Sequence, residues 1–403
     1  MQAIYAFGLL ILIAFLGARF ITKRTSLSPV NYFFFSGFVY IFLGLSLGRS
    51  GWDILSSSIL TGLTPLVGLG LGWVGFLFGF QLEIKYLKRF PRKYITLSLM
   101  QFLFVFLSGG FVFILFLKLF YPQEQVYLFY GMGGALGLLL SVNSPTLLNM
   151  ASRVIPQRGN YYYLARFLVS VSGFWGIAGL VLLLSFWHFP FFESELVLKG
   201  AAFLLTGTLF PVLLGILFHQ LTKKKTSEEQ MLVYLLGLVF FVSGAAFYFN
   251  LPPLYLSMVL GITFSNLTKI HEKLYPLLLS TEKPLHIIFL ILIGALWDVS
   301  LNQEIAVLVA LMVVLRMLTY ALPFPVFKLI LNFPLRLPAR FGFSFLSSGG
   351  IGVALAVSIK LAYPLLLTDI FITIALCGIL IMEFLSPWGL KFSVSRLDAE
   401  EEK

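Results

Sequence analysis

Charge is scarce in this chain. Asp, Glu, Lys and Arg make up 11% of its 403 residues, where a soluble domain carries roughly a quarter. That scarcity excludes a water-soluble globular domain. Cysteine occurs once, as Cys377 within an apolar run, which rules out an intrachain disulfide and argues against a cysteine-ligated metal site. His188, His219, His271 and His286 are dispersed, without metal-ligand spacing. No stretch pairs a nucleophile with a base, so neither an enzyme nor a cofactor is expected. One further absence proves important: no Asp or Glu occurs between Arg158 and Glu193.

What is present is apolar. Hydrophobic residues make up 59% of the chain and its mean hydropathy is +0.96, which marks an integral membrane protein. A span takes about 20 apolar residues. On that rule about thirteen spans are expected: 2–20, 30–48, 64–82, 94–120, 126–150, 161–186, 196–218, 231–249, 252–268, 284–298, 304–322, 341–362 and 366–387. The first, "MQAIYAFGLLILIAFLGARF", has no basic residue ahead of its apolar core and no small-residue cleavage pattern, so it reads as a span rather than a signal peptide. Arg19, Lys23 and Arg24 follow that core, which sets the N-terminus outside.

The remaining charges agree with that direction. With the N-terminus outside, "KYLKRFPRK" (85–93), "SRVIPQR" (152–158), "KKK" (223–225), "TKIHEK" (268–273) and the stretch holding Lys328, Arg336 and Arg340 all fall inside. The other side receives Arg49, Lys118, Lys199 and Lys360. This is the positive-inside bias of membrane proteins. It accounts for the net charge of +11 without nucleic acid; the expected partner is the lipid bilayer of the cell membrane. An odd number of spans leaves 388–403 as a short cytoplasmic tail.

Two spans carry residues that break helices. In "SVNSPTLLN" (141–149), Asn143, Ser144, Pro145 and Thr146 interrupt an apolar run. Pro145 lacks an N–H, and its ring clashes with the preceding turn. In hydrocarbon a broken backbone survives only where protein or a water-filled cavity satisfies the freed groups. In "FGFSFLSSGGIGVALAV" (341–357), Ser347, Ser348, Gly349 and Gly350 weaken a second span. A pair of interrupted spans in the two halves of a chain is the sequence mark of a transporter site between inverted repeats. Those repeats would lie within about 1–186 and 196–387 of one transmembrane domain. Elsewhere, "GLGLGWVGFLFG" (68–79) sets Gly68 with Gly72 and Gly75 with Gly79 at helical spacing, a pattern for close helix packing in lipid.

With these motifs in order, the sequence resembles the monovalent cation:proton antiporter superfamily, near its Kef-type and bacterial sodium/proton exchanger branch. "SLSPVNYFFFSGFVYIFLGLSLG" (26–48) is similar to that family's second span and "VGFLFGFQLEIKYLKR" (74–89) to its third. "SVNSPTLL" and "SSGGIGVALAV" resemble its two crossing helices. "HIIFLILIGALWDVSL" (286–301) is similar to its Phe-Phe-x-x-x-Gly span, and "MEFLSPWGLKF" (382–392) to its terminal Glu-x-x-x-Pro span. The resemblance implies an all-α core domain with two crossed discontinuous helices, a dimerisation domain, a homodimer, and exchange of Na⁺ or K⁺ for protons.

One departure stands out. Family members carry an acid mid-span in the helix after the first break, and the matching positions here are Ser172 and Gly173. A serine hydroxyl lends lone pairs to a cation but does not titrate near neutral pH. Glu83, Asp298 and Glu383 fall near span ends, either as interfacial anchors or as relocated proton carriers. Arg316 lies mid-span, where relatives hold Lys or Arg; a charge so deep is costly and marks function by default. Its structural alternative is an Arg that ties helix ends together through backbone carbonyls. Three functions stay open: a divergent cation:proton exchanger using Asn143, Thr146, Ser172 and backbone oxygens; an uncoupled or anion-selective transporter; and a non-transporting subunit whose partner protein supplies the chemistry.

Overall fold

A computed structural model describes residues 28–152, 159–188, 194–222, 228–268, 271–299, 301–362, 367–394 and 397–398, with Gly8, 10–13 and Phe15. The expected span 2–20 lies almost wholly outside them, as do 153–158, 223–227 and part of the tail. Among the described residues the elements are helical throughout. In chain order they are α1 (Pro29–Phe35), α2 (Val39–Leu47), α3 (Ser57–Gln81), α4 (Ile84–Leu87), α5 (Arg92–Phe120), α6 (Val126–Ser141), α7 (Thr146–Ala151) and α8 (Asn160–His188). There follow α9 (Ser194–Leu221), α10 (Glu228–Tyr248), α11 (Pro253–Leu267), α12 (His271–Ala295), α13 (Gln303–Ala321), α14 (Pro323–Leu331), a 3₁₀ helix (Ala339–Phe345), α15 (Gly349–Ala362) and α16 (Leu367–Phe392).

Among the described residues nine helices are long and apolar enough to cross a membrane, or eleven if each of two broken pairs is one span. The difference from thirteen has identifiable sources. Segment 252–268 forms the shorter helix Pro253–Leu267, and the first span is mostly not described. Boundaries also move. The helix expected from 284 starts at His271 and runs through Pro276 and Pro284, and the one expected to end at 387 continues past Pro387 to Phe392. Neighbouring protein can satisfy the backbone groups that a proline frees, so proline does not end a membrane helix as it ends a soluble one.

The chain divides into two compact units, each drawn from both halves of the sequence. The first comprises 1–22, 39–89 and 181–298; the second comprises 23–38, 90–180 and 299–403. In the first unit α3 and α11 meet backbone to backbone. A Cβ at Gly75 would land on the Leu254 carbonyl, and one at Gly79 on the Met258 carbonyl. The glycine spacing of 68–79 is therefore a packing device. Around this pair Trp73, Phe76, Phe80, Val239, Leu260 and Phe264 form an apolar core.

In the second unit capping is explicit at two helix starts. Ser28 Oγ accepts the Asn31 N–H at 3.2 Å ahead of α1, and Asn302 Oδ1 accepts the Ile305 N–H at 2.8 Å ahead of α13. Each satisfies an N–H left without an intrahelical partner. Tyr320, Phe324, Phe341 and Phe345 interlock, with ring centroids 5.1 to 6.1 Å apart, and pin the 3₁₀ helix to α13 and α14. Along α5, Leu103, Leu107, Phe111, Leu115 and Leu119 are exposed, an apolar face suited to lipid.

Candidate functional site

Both expected interruptions exist, and they lie in the second unit. Ser144 precedes a proline and is biased toward extended backbone; α6 accordingly ends at Ser141, and residues 142–144 run without helix. The second break is tighter, residues 346–348 between the 3₁₀ helix and α15, with a bend of 68° between the two helices. The breaks touch. Ser144 N–H donates to the Ser347 carbonyl at 3.0 Å, and a Cβ at Gly349 would strike the Ser144 side chain. Gly349 also has φ +56°, a conformation that costs little only for glycine. Two independent constraints thus fix glycine at the crossing.

Arg316 is fully buried beneath the crossing. Its Nε donates to the Leu346 carbonyl at 2.8 Å, Nη1 to Leu139 and Leu140 at 3.2 and 2.9 Å, and Nη2 to Val142 at 2.7 Å and Phe345 at 3.2 Å. Nη2 also reaches Asn143 Oδ1 at 3.2 Å, and the guanidinium lies 5.3 Å from the Tyr320 ring centroid. A guanidinium has five N–H donors, and these acceptors engage all of them. The carbonyls belong to the C-terminal ends of α6 and of the 3₁₀ helix, where partial negative charge collects. Arg316 therefore ties helix ends together, the structural alternative raised by the sequence.

Glu383, expected near the end of the span 366–387, does not lie at a helix end. It is fully buried well inside α16. Its Oε1 accepts the Ser348 and Gly349 N–H groups at 2.7 and 2.6 Å, which caps the N-terminus of α15. Its Oε2 accepts Tyr32 Oη at 2.7 Å and Ser347 Oγ at 3.0 Å. Tyr32 comes from α1 and is also fully buried. Glu83 and Asp298 differ: Glu83 lies just past the end of α3, and Asp298 is exposed, 3.8 Å from Arg49.

The other expected residues divide into two groups. Asn143, Ser144, Ser347 and Ser348 are buried at the crossing. Thr146 joins them through a 2.9 Å contact between its hydroxyl and that of Ser144; Pro145 precedes α7 and Gly350 lies in the first turn of α15. Ser172 and Gly173 lie on α8. Ser172 is buried but donates to the Val169 carbonyl of its own helix at 2.9 Å, and among the described residues no hydrogen bond joins it to the crossing. Sequence reasoning missed Tyr32 altogether. The available signal for Glu383 was its isolation: it is the sole charge between Asp369 and Lys391.

No protein-family model matches the chain, and no curated protein matches it. Solved structures do. The chain is similar to the sodium proton antiporter MjNhaP1 from Methanocaldococcus jannaschii at pH 8, with 17% identity and a TM-score of 0.67 over 96% of this chain and 99% of that one. An electron-microscopy structure of the same antiporter gives 17% identity and a TM-score of 0.68 over 100% of this chain and 97% of that one. The chain thus shares the fold of that sodium proton antiporter.

Proposed function

We propose that this chain is a divergent monovalent cation:proton antiporter-like transporter that exchanges Na⁺ or K⁺ for protons by alternating access. The observation that carries this reading is the charge arrangement at the crossing. One cation, Arg316, is fully engaged by carbonyls, and one carboxyl, Glu383, is buried among hydroxyls. In antiporter-like folds, unwound backbone and half-helix ends provide the oxygen ligands of the transported cation. Here Asn143, Ser144, Thr146, Ser347 and Ser348 would present such oxygens, at breaks marked by Pro145, Gly349 and Gly350. Ser172 and Gly173 would occupy the path along α8, with Arg316 modulating the field.

The anion-selective alternative loses support on two counts. Arg316 has no donor left for an anion, and the N-terminus of α15 already faces the Glu383 carboxyl. Helix α7 has six residues, too few to build much dipole of its own. We assign the second unit as the mobile core and the first as the dimerisation domain of a homodimer, with the N-terminus outside and the C-terminus in the cytoplasm.

The test is flux in proteoliposomes with Na⁺, K⁺ and Li⁺, recording internal pH and membrane potential together. Proton movement that depends on both cation and pH supports the exchanger. Anion-dependent current, or silence relieved only by a second protein, sinks it.

A further inference from the structure

We infer that Glu383, closed into a ring with Tyr32 and Ser347, is the proton-binding group that stands in for the acid missing from α8. This inference rests on the exchanger reading above. Its basis is a count of protons. Tyr32 Oη, Ser347 Oγ and Glu383 Oε2 form a triangle with edges of 2.7, 2.9 and 3.0 Å, each within the range of an O–H···O hydrogen bond. Three edges need three protons. The two hydroxyls supply one each, so an ionised carboxylate leaves one edge as two oxygens with no proton between them.

A proton on Oε2 completes the ring. Tyr32 donates to Oε2, the Oε2–H donates to Ser347 Oγ, and the Ser347 hydroxyl donates to Tyr32 Oη. Oε1 is then a carbonyl oxygen, and its two lone pairs accept the Ser348 and Gly349 N–H groups at 2.7 and 2.6 Å. The two carboxyl oxygens are thereby distinguished: Oε1 takes the two backbone donors, with Ser347 Oγ farther off at 3.2 Å, and Oε2 faces hydroxyls that both give and take protons. Among the described residues the adjacent Ser348 hydroxyl is buried without a hydrogen-bond partner, a further oxygen beside the group.

The surroundings leave the titration to few partners. Tyr32 from α1 and Arg316 from α13 are the ionisable groups that act on Glu383. Among the described residues α6 carries Tyr127 and Tyr130, both exposed, the 3₁₀ helix carries Arg340, α15 carries Lys360, paired with Asp369 at 3.1 Å, and α16 itself has no other charge between Asp369 and Lys391. In the exchange step the Oε2–H bond breaks and the proton leaves to water on one side of the membrane. A monovalent cation then enters against the carboxylate, with Oε2 and Ser347 Oγ among its oxygen ligands. Nothing is oxidised or reduced.

The test combines infrared difference spectroscopy across pH on the purified full chain in lipid with the flux assay. Wild type should show the carbonyl stretch of a neutral carboxyl at neutral pH. E383Q, which keeps an oxygen for the two N–H groups but cannot lose a proton, should lack that band and lose cation-driven proton release. If wild type exchanges protons and E383Q does so equally well, this inference is overturned while the exchanger reading stands. If wild type moves no ions, the exchanger reading falls. The band then decides alone, since its persistence in E383Q would remove the proton from Glu383. Should E383Q fail to elute as a folded species, Y32F removes the two edges of the ring that meet at Tyr32 and no charge. It should shift the band and displace its pH midpoint, and an unmoved band would likewise overturn the inference.

Discussion

The two helix breaks solve one problem in opposite ways. The first is opened by a proline, with the chain before it extended, and the carbonyls it frees are taken up by a cation from another helix. The second is opened by a glycine at positive φ, and the N–H groups it frees are taken up by an acid from another helix. Arg316 serves the C-terminal ends at both breaks, whereas Glu383 serves one N-terminal end. In a low-dielectric interior each orphaned group would cost about 1–3 kcal/mol. The lesson is that neither break holds itself open; each depends on a charge supplied across the crossing.

The largest expected effect comes from Arg316→Ala. It orphans five carbonyls on two helix ends, and removing one partner of a buried charged network costs about 3–5 kcal/mol. Thermal unfolding in detergent should show a collapse of stability. A melting temperature near that of wild type would mean the breaks are held by something other than the arginine. Arg316→Lys should fall between, because an ammonium has three donors for five carbonyls.

Gly349→Ala comes next. Backbone strain at φ +56° alone costs about 1–3 kcal/mol, and the added Cβ meets the Ser144 side chain. Stability and transport should drop together. Full activity in this variant would show that the crossing can separate without harm, against the contact described here.

Pro145→Ala should be milder, about 1 kcal/mol or less. If Arg316 rather than Pro145 keeps the first break open, the helix cannot close when the ring is removed. A loss as large as that of Arg316→Ala would reverse this ranking and make proline the cause. Smallest of all is Ser172→Ala. Its hydroxyl is bonded inside its own helix and alanine is the better helix former, so stability should move by about 0.5 kcal/mol or less. Measured ion flux in Ser172→Ala bears on the proposed path: an unchanged rate would strike Ser172 from it.

The sequence made the helical membrane fold and both breaks legible, because hydrophobic runs and Pro or Gly clusters are local signals. Asn143, Ser144, Ser347 and Gly349 could be found this way, each sitting in its own breaker cluster. Arg316 could be found because a charge inside an apolar run stands out. Glu383 stood out equally, yet a span drawn to end at 387 set it near an end that the helix passes. Tyr32 was invisible for a different reason. It is one aromatic among several in "NYFFF", and its partner lies 351 positions away, a distance no periodicity spans. Ser172 illustrates the converse: resemblance to a motif gave it a place on α8, and its hydroxyl bonds within its own helix.

The glycine contact between α3 and α11 bears on the order in which the protein is made. Those two helices are separated in the chain by everything between Gln81 and Pro253. Ribosomes add about 5–20 residues per second, so α3 waits on the order of ten seconds or more before its partner exists. Throughout that interval the face bearing Gly75 and Gly79 has only lipid or another early helix against it. Lipid chains cannot follow the backbone as closely as the Leu254 and Met258 carbonyls do. Biogenesis therefore passes through a stage in which this helix is inserted but unmatched, and a nascent chain halted before Pro253 leaves that groove open to any helix with an equally narrow face.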